Sequence, residues 1–477
     1  MKKLPICVDL DGTYLKTDLL IETFLILLKN NFFYIFYLPF LLLKGKSYLK
    51  SFLAKHSSTH IDFKNLPKNE ELRDILKKKK EDGHEIYIVS ASNELLLNDI
   101  EFYDSIFSAT YGSSDEFNLK GKNKAEFLKK KFPKGFIYAG DSKADIEVWK
   151  EAKQAIVVNA DSCVVKGAKE VSEILTIVPK PDTKTQIKQW VQALRIYQCV
   201  KNLLLFLPLG LTHQLTDIGS LLTVILGFIV ISVLAFSTYL FNDLIDLEND
   251  RAHWSKSKRP IASGDIWVFD AITVFAFLCV LSLSVSFMID PLFGIGALCY
   301  FVTTMLYSLY FKKVAIIDVT ILAFLFTLRI ILGTILIDAA FSVWLLSFSF
   351  FFFLSLAVIK RVAELGKSSQ KKDANNFGRG YSKHDQPFLY GIGMSSSISA
   401  VILMLLYLID KQYLAKGYNY PSFLWGIPIC VFLCSAKMWM EVLRKNMHDD
   451  PIIFAFTNRF CLTFILIAGT IFLLAGV

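Results

Sequence analysis

The chain has 477 residues, 53% of them hydrophobic and 41 of them Phe, with a mean hydropathy of +0.44. That is too apolar for a soluble protein of this length and points to a polytopic membrane protein. The net charge of +9 gathers in particular loops, which suits membrane orientation and anionic ligands and gives no argument for nucleic acid.

Residues 1–180 read as a soluble domain with apolar patches. The opening M-K-K-L-P-I-C-V-D-L-D-G-T is a short apolar run feeding an acidic turn, which is not the pattern of a signal peptide. Ile6 to Val8 reads as a buried strand ending in Asp9-Leu10-Asp11-Gly12-Thr13. Glu85 to Val89 reads as a second, ending in Ser90-Ala91-Ser92. Gly135 to Ala139 reads as a third, ending in Gly140-Asp141-Ser142 with Asp145 beyond. Helical segments lie between them at 70–80, 94–102 and 124–131. Strands alternating with helices imply an α/β, Rossmann-like domain, a parallel sheet with its site at the strand carboxyl ends.

These motifs, in this order, resemble the haloacid dehalogenase superfamily of Mg²⁺-dependent phosphatases. The resemblance implies that Asp9 attacks phosphorus, giving an aspartyl phosphate, and that Asp11 serves as general acid and then base. It implies that Ser90 and Lys124 bind phosphoryl oxygens, with Lys120 and Lys122 as neighbouring alternatives for the lysine. Asp9, Asp141 and Asp145 are then the Mg²⁺ ligands.

Between the first two motifs lies an apolar insert, 19–56, whose richest part runs from Leu19 to Leu43. Lys29-Asn30-Asn31 and Pro39 break it into runs shorter than the roughly 20 residues needed to span a bilayer. A single crossing would also separate Asp9 from Asp141. The insert therefore reads as cap helices, either soluble over the active site or dipping into the membrane surface.

Residues 181–198 read as a linker and an interfacial helix, Ile187 to Tyr197, with Trp190 and Tyr197 as amphipathic anchors. Residues 199–477 read as an all-α membrane domain of about nine spans, near 199–213, 218–241, 267–289, 291–311, 315–337, 341–359, 388–409, 421–441 and 460–476. The loops on one face hold fifteen Lys and Arg and those on the other hold two. This positive-inside bias puts the conspicuous charged motifs on the cytoplasmic side, together with the N-terminal domain. Cys430 and Cys434 sit one turn apart in an apolar segment with no metal-like partner, so packing accounts for them.

The stretch Asn242 to Gly264 follows the second span. On a helix Asp243, Asp246 and Asp250 fall at i, i+3 and i+7, so three carboxylates share one face. Such acids at a bilayer edge repel one another unless a cation joins them. Asn242 and the three aspartates suit Mg²⁺ with positions left for phosphate oxygens, and the following Lys256 and Arg259 suit the rest of a polyphosphate. Further candidates are Lys201 and Asn202, and on the same face lie Tyr307 with Lys312 and Asp318, followed by Arg329 inside a span. Beyond them come Lys360, Arg361 and Glu364, then Arg379, Lys383, His384 and Asp385, then Asp450. Lys360 and Glu364 are spaced for an i,i+4 contact.

Nine spans with N-D-x-x-D-x-x-x-D resemble the UbiA prenyltransferase superfamily, in which aspartate-bound Mg²⁺ holds a diphosphate while its C–O bond ionises. Aromatic prenyltransferases of that family carry a second acidic cluster after the sixth span. Here that position is basic, at Lys360 and Arg361. The patterns K-R-x-x-E, Y-S-L-x-F-K-K-x-x-x-x-D and K-N-L-L-L-F-L-P resemble the polyprenyl-phosphate phosphoribosyltransferase branch. The resemblance implies 5-phosphoribosyl 1-diphosphate as donor and a polyprenyl phosphate as acceptor. Asp243 and Asp246 would then be central to catalysis, and Lys256, Arg259, Lys312, Lys360 and Arg361 would hold phosphates. Ile196 and Cys199 depart from the family's opening pattern, and Trp254 stands where proline is common. Two other readings remain: prenyl transfer from a prenyl diphosphate to an aromatic or lipid acceptor, and a transporter or lipid-binding scaffold. Oligomeric state, a homo-oligomer included, stays open.

Overall fold

The computed structural model describes residues 3–476 except 31–33, 35–36, 38–39, 41–42, 44–45, 58–62, 98–103, 115–116, 369–379, 411–417 and 448–449. Arg379 falls outside the described residues. The chain forms two compact units, one of residues 1–196 with 239–275, the other of residues 197–238 with 276–477.

In the first unit, six parallel strands form one sheet: β1 (Ile6–Val8), β2 (Ile86–Asn93), β3 (Ala109–Ser113), β4 (Ile137–Gly140), β5 (Gln154–Val158) and β6 (Glu173–Val178). Their order is β3-β2-β1-β4-β5-β6. Strand β1 is central, with Ile6 beside both Ile86 and Ile137. Its three residues are fully buried, as a parallel strand covered on both faces requires. The chain leaves β1 in one direction and returns to β4 on its other side. A crevice therefore opens at the carboxyl ends of β1 and β4, where the turns after Val8 and Gly140 project. Core side chains cover both faces, with Leu72, Leu76 and Ile106 on one and Leu128, Trp149 and Val164 on the other.

The helix at 70 runs to Glu81 and the one at 124 begins at Lys122. Of the expected 94–102 segment the described residues hold a 3-10 turn, Glu94–Leu96, whose start is capped by the Asn93 side chain accepting from Leu95 N–H; residues 98–102 lie outside the described residues. The insert forms helices Leu19–Asn30 and Lys46–Ser57, joined through Leu27, Leu49 and Leu53.

The linker helix spans Thr183–Leu194 rather than Ile187 to Tyr197, capped at its start by Asp182 and ended by Arg195 in the left-handed conformation at φ 52°. The same unit takes in residues 239–275. Leu240, Leu244, Leu247, Ile261 and Ile266 pack there with Ala193, and Ile21 and Leu25 of the insert helix lie against this cluster.

The second unit is helical. Among the described residues the chain has seven helices long and apolar enough to cross a membrane, from Ile218–Ile245 to Pro421–Leu443, or nine if each of two bent pairs counts as one span. The expected span at 199–213 is one half of such a pair. It is a 3-10 stretch, Ile196–Phe206, continued by Leu207–Leu211 and bent 46° from Thr183–Leu194. Pro208, which lacks an N–H, sits in the first turn of that last piece. The final span is bent by 82°, between Pro451–Thr457 and Arg459–Ala475. Gly333 lets the helix Ile317–Leu336 approach the 3-10 stretch, since a Cβ there would lie 2.2 Å from Leu205 O.

Candidate functional sites

The turn after β1 presents Asp9, Asp11 and Thr13, and the turn after β4 presents Asp141 with Asp145. The carboxylate oxygens of Asp9, Asp141 and Asp145 lie within 4.8 Å of one another, the spacing of a shared cation. Lys124 is almost fully buried, 2.8 Å from Asp9 Oδ2, and donates at 3.0 Å to the Tyr138 hydroxyl, which donates at 2.8 Å to Asp145. Asp145 is held further by the N–H groups of Asp141 and Ser142 and by the Ser142 hydroxyl. Thr13 donates to Asp141 at 3.0 Å.

Burial, and then the Asp145 and Asp9 charges, push the Asp141 carboxyl up to about 8. Burial also raises Asp9, against the pull of Lys124. For Lys124, burial disfavours the charged form, but Asp9 and Asp145 outweigh it and hold its pKa above the ordinary value. Three carboxylates against one lysine are what a divalent cation would relieve, so the donor set fits Mg²⁺.

Asp11 stands apart from this cluster. Its Oδ1 accepts the N–H of Leu19, the first residue of the insert helix, and its Oδ2 accepts the Ser92 hydroxyl at 2.6 Å. Burial and then Asp18 push Asp11 up to about 7. Ser90 is fully buried and donates to the same Asp11 oxygen at 3.4 Å, while accepting from Ser92 N–H. The sequence reading missed Ser92 and Tyr138. The S-A-S run offers two equivalent serines, and a strand tyrosine is indistinguishable from core.

The aspartate motif begins on the last turn of Ile218–Ile245 and continues through a short helix, Leu247–Ala252. Asp243 is buried and pairs with Arg195 at 2.5 Å and Arg259 at 3.1 Å. Arg259 also reaches Asp250 at 2.5 Å, and Lys256 lies 3.9 Å from it. Burial lifts the Asp250 carboxyl above its ordinary value, against the pull of Arg259 and Lys256. Asn242 and Asp246 are half-buried on the same run. Asp243, Asp246 and Asp250 do not close to the spacing of the N-terminal triplet, because Arg259 stands between two of them. Arg195 was not among the expected site residues. It sits in the linker, 48 residues before its partner, and its one sequence signal is its place at the head of the departed opening pattern.

Arg251 turns away from this cluster. Its guanidinium makes a two-pronged ion pair with Glu22 of the insert helix at 2.8 and 2.9 Å, both side chains buried, and its Nε donates to Ala262 O. Thr17 donates to the same glutamate.

In the second unit, Lys201 and Lys360 face the Asp450 carboxylate at 3.0 and 3.7 Å. Burial opposes ionisation of Asp450, but the two lysines hold its pKa below the ordinary range. Lys360 thus has Asp450 as an ion-pair partner beyond the expected Glu364. Arg361 takes Glu364, at 2.5 Å, along with Asp318 through two nitrogens and the Tyr307 hydroxyl at 3.2 Å. Arg361 is itself buried, and its donors are engaged by the buried Asp318 and by the half-buried Glu364 and Tyr307. Arg329 is similar. It donates to Asn202, Leu325 O and the Tyr300 hydroxyl, while Asn202 donates to Ser232. Lys312 lies half-buried in the 3-10 turn Phe311–Lys313.

Residues 203–462 match the UbiA prenyltransferase family. The chain is 36% identical over 466 residues to uncharacterized protein y4nM of Sinorhizobium fredii, covering 96% of this chain and 88% of that one. It is 27% identical over 301 residues to nodulation protein NoeC of Azorhizobium caulinodans, covering 61% of this chain and 95% of that one. It is 34% identical over 188 residues to decaprenyl-phosphate phosphoribosyltransferase of Mycolicibacterium smegmatis, covering 38% of this chain and 58% of that one.

Proposed function

Because the chain belongs to the UbiA prenyltransferase family and is a multi-pass membrane enzyme, we propose that it transfers 5-phosphoribose from phosphoribosyl diphosphate to a polyprenyl phosphate. We propose also that its N-terminal unit is a haloacid dehalogenase-like phosphatase acting on the product. The observation that carries the donor assignment is the pair of cations, Lys201 and Lys360, around Asp450. Lysines at that position suit a directly bound phosphate, whereas metal-bridged diphosphate calls for acids. The similarity to decaprenyl-phosphate phosphoribosyltransferase supports the same reading. The transporter reading needs polar residues deep in several broken spans, and the deep Arg329 is taken up by Asn202 and Tyr300.

In the transferase, Asn242, Asp243, Asp246 and Asp250 would hold Mg²⁺, which would neutralise charge on the departing diphosphate. Arg259 and Arg195, drawn off Asp243, bind diphosphate oxygens, and Lys256 adds a third cation. Within the second unit, Lys201, Lys360 and Lys312 are the cations suited to a phosphate. A lipid phosphate oxygen attacks the anomeric carbon as the C–O bond to diphosphate breaks. The acceptor is already an anion, so no strong base is required.

In the phosphatase, Asp9 attacks phosphorus of the 5′-phosphate and the P–O bond to ribose breaks. Asp11, protonated in part near neutral pH, gives its proton to the departing oxygen. Water then attacks the aspartyl phosphate, Asp11 takes its proton, and inorganic phosphate leaves. Lys124 neutralises phosphoryl oxygens, and Asp9, Asp141 and Asp145 would hold Mg²⁺. Both sites are assigned to the cytoplasmic side of the inner membrane on the loop charges.

The test uses the full chain in detergent with Mg²⁺, polyprenyl phosphate and radiolabelled phosphoribosyl diphosphate. Label should enter lipid and appear there as the dephosphorylated riboside. Label that stays out of lipid, while a labelled prenyl diphosphate reacts with an aromatic acceptor, would assign prenyl transfer instead. Label that enters lipid but keeps its 5′-phosphate would remove the phosphatase from the sequence.

A further inference from the structure

We infer that Trp267 is a specificity-determining residue of the N-terminal site, selecting phosphate monoesters carried on a membrane lipid over soluble ones. The inference rests on the phosphatase reading above and adds a substrate-selecting wall to it.

The turn that carries Asp9 and Asp11 passes through Gly12 at φ +79°, a left-handed conformation that favours glycine. A Cβ at Gly12 would lie 2.5 Å from Asp141 Oδ2 and 3.0 and 3.1 Å from Cζ2 and Cη2 of Trp267. The indole therefore packs on the turn directly after the general acid, beside the carboxylate of Asp141. It comes from the segment that follows the aspartate motif, more than 250 residues along the chain.

This segment is fixed, so the indole is a wall and not a passing side chain. Gly264, at φ +73°, brings the chain against Lys16, where a Cβ would fall 2.5 Å from Lys16 Cβ and 2.7 Å from Lys16 O. Lys16 pairs with Asp265 at 3.3 Å. Ile266 N–H donates to Pro260 O, and Ile266 and Val268 on either side of the tryptophan are buried. Trp267 itself keeps 37% exposure, so the residue is not sealed off by its own unit.

A tryptophan at the head of a span commonly anchors a helix at the interface. Trp267 immediately precedes the apolar helix Val268–Ile289, and anchoring explains its place in the sequence. Anchoring does not call for its ring to lie on Gly12. The rim of the phosphoryl site is thereby one residue from the start of a span. A phosphate monoester whose lipid remains in the bilayer meets this ring on its way to Asp9, and the apolar face rewards a sugar or lipid chain beside the phosphate. A small soluble monoester reaches the same carboxylates without using that face. Contacts made with the remote part of a substrate set specificity through kcat/KM.

The experiment compares the full chain with its Trp267→Ala and Trp267→Phe variants on two substrates: the 5′-phosphoribosyl lipid in mixed micelles, and p-nitrophenyl phosphate in the same micelles. Trp267→Ala should lower the ratio of kcat/KM, lipid over soluble, about tenfold, as expected for loss of one aromatic contact, with the soluble ester hydrolysed faster at an opened rim. Trp267→Phe should restore most of the ratio. An unchanged ratio in Trp267→Ala overturns the inference, and so does an equal fall on both substrates, which would make Trp267 a support of the fold alone. Asp9→Asn separates the two levels of the argument. Hydrolysis of both substrates surviving in Asp9→Asn would refute the phosphatase reading itself, whatever Trp267 does.

Discussion

Asp9, Asp141 and Asp145 share their space with one buried lysine, whereas Asp243 and Asp250 are matched by Arg195, Arg259 and Lys256. The first cluster has fewer cations than carboxylates, and burial, reinforced by the neighbouring carboxylates, raises the pKa of Asp9 and Asp141. The second is already compensated from within the chain. A cation can simply add to the first. In the second, under the proposed function, Asp243 and Asp250 would hold a cation only by giving up Arg195 and Arg259, which would then be free for diphosphate oxygens. Buried charge favours such exchange because neither partner is left unpaired.

The comparison breaks most sharply at its two key acids. Asp9→Asn should lower phosphatase turnover by at least about a thousandfold, the order seen when a nucleophile is removed. Transfer should persist in that variant, and the 5′-phosphorylated lipid should accumulate on chromatography. Asp243→Ala should lower transfer of label into lipid by about a thousandfold and spare hydrolysis of a soluble phosphate ester. Loss of both activities in either variant would mean that the clusters do not work separately.

A smaller effect sharpens the role of the ion pair that the N-terminal insert contributes. Glu22→Gln leaves the buried Arg251 without a counter-charge, which should cost about 3 kcal/mol of stability. A lowered Tm in detergent, with earlier proteolytic cleavage in residues 246–267, would register it. An unaltered Tm would show that the pair contributes little.

The smallest effect concerns protons. Asp141 and Asp11, with folded values raised to about 8 and about 7, bind protons more tightly folded than unfolded. Stability from these groups is therefore fully present below the ordinary carboxylate range and declines as pH rises through about 4 to about 8. With EDTA, Tm should fall by a few degrees across that window, and Mg²⁺ should flatten the curve. A curve that rises with pH in EDTA would contradict the charge imbalance at Asp9, Asp141 and Asp145.

Much of the first site was legible because its chemistry sits at strand ends. A short apolar run followed by D-L-D-G-T or G-D-S marks both the strand and the turn that presents its acids. The boundaries were less legible: β2 runs on to Asn93, so the serine pair lies inside the strand, and Ser92 is nearer than Ser90 to Asp11. The second site was legible in type but not in state. Helical spacing put three aspartates on one face, yet nothing local reveals that Arg195 and Arg259 occupy two of them. Partners in the second unit were less legible: Arg361 is conspicuous in a basic stretch, but Asp318 and Tyr307, which it meets, lie on other helices. Glu22 and Arg251 are 229 residues apart, and only the fold brings them together.

The placement of residues 239–275 with the N-terminal unit bears on how this polypeptide can be divided. A gene cut in the linker near residue 190 looks as if it would yield a clean phosphatase and a clean transferase. The C-terminal product would instead carry Arg251 stripped of Glu22 and Asp265 stripped of Lys16. The N-terminal product would lack the indole that packs on Gly12. The two proposed activities would be encoded in tandem, but residues 239–275 belong to the N-terminal unit, so separating them calls for point substitutions and not scissors.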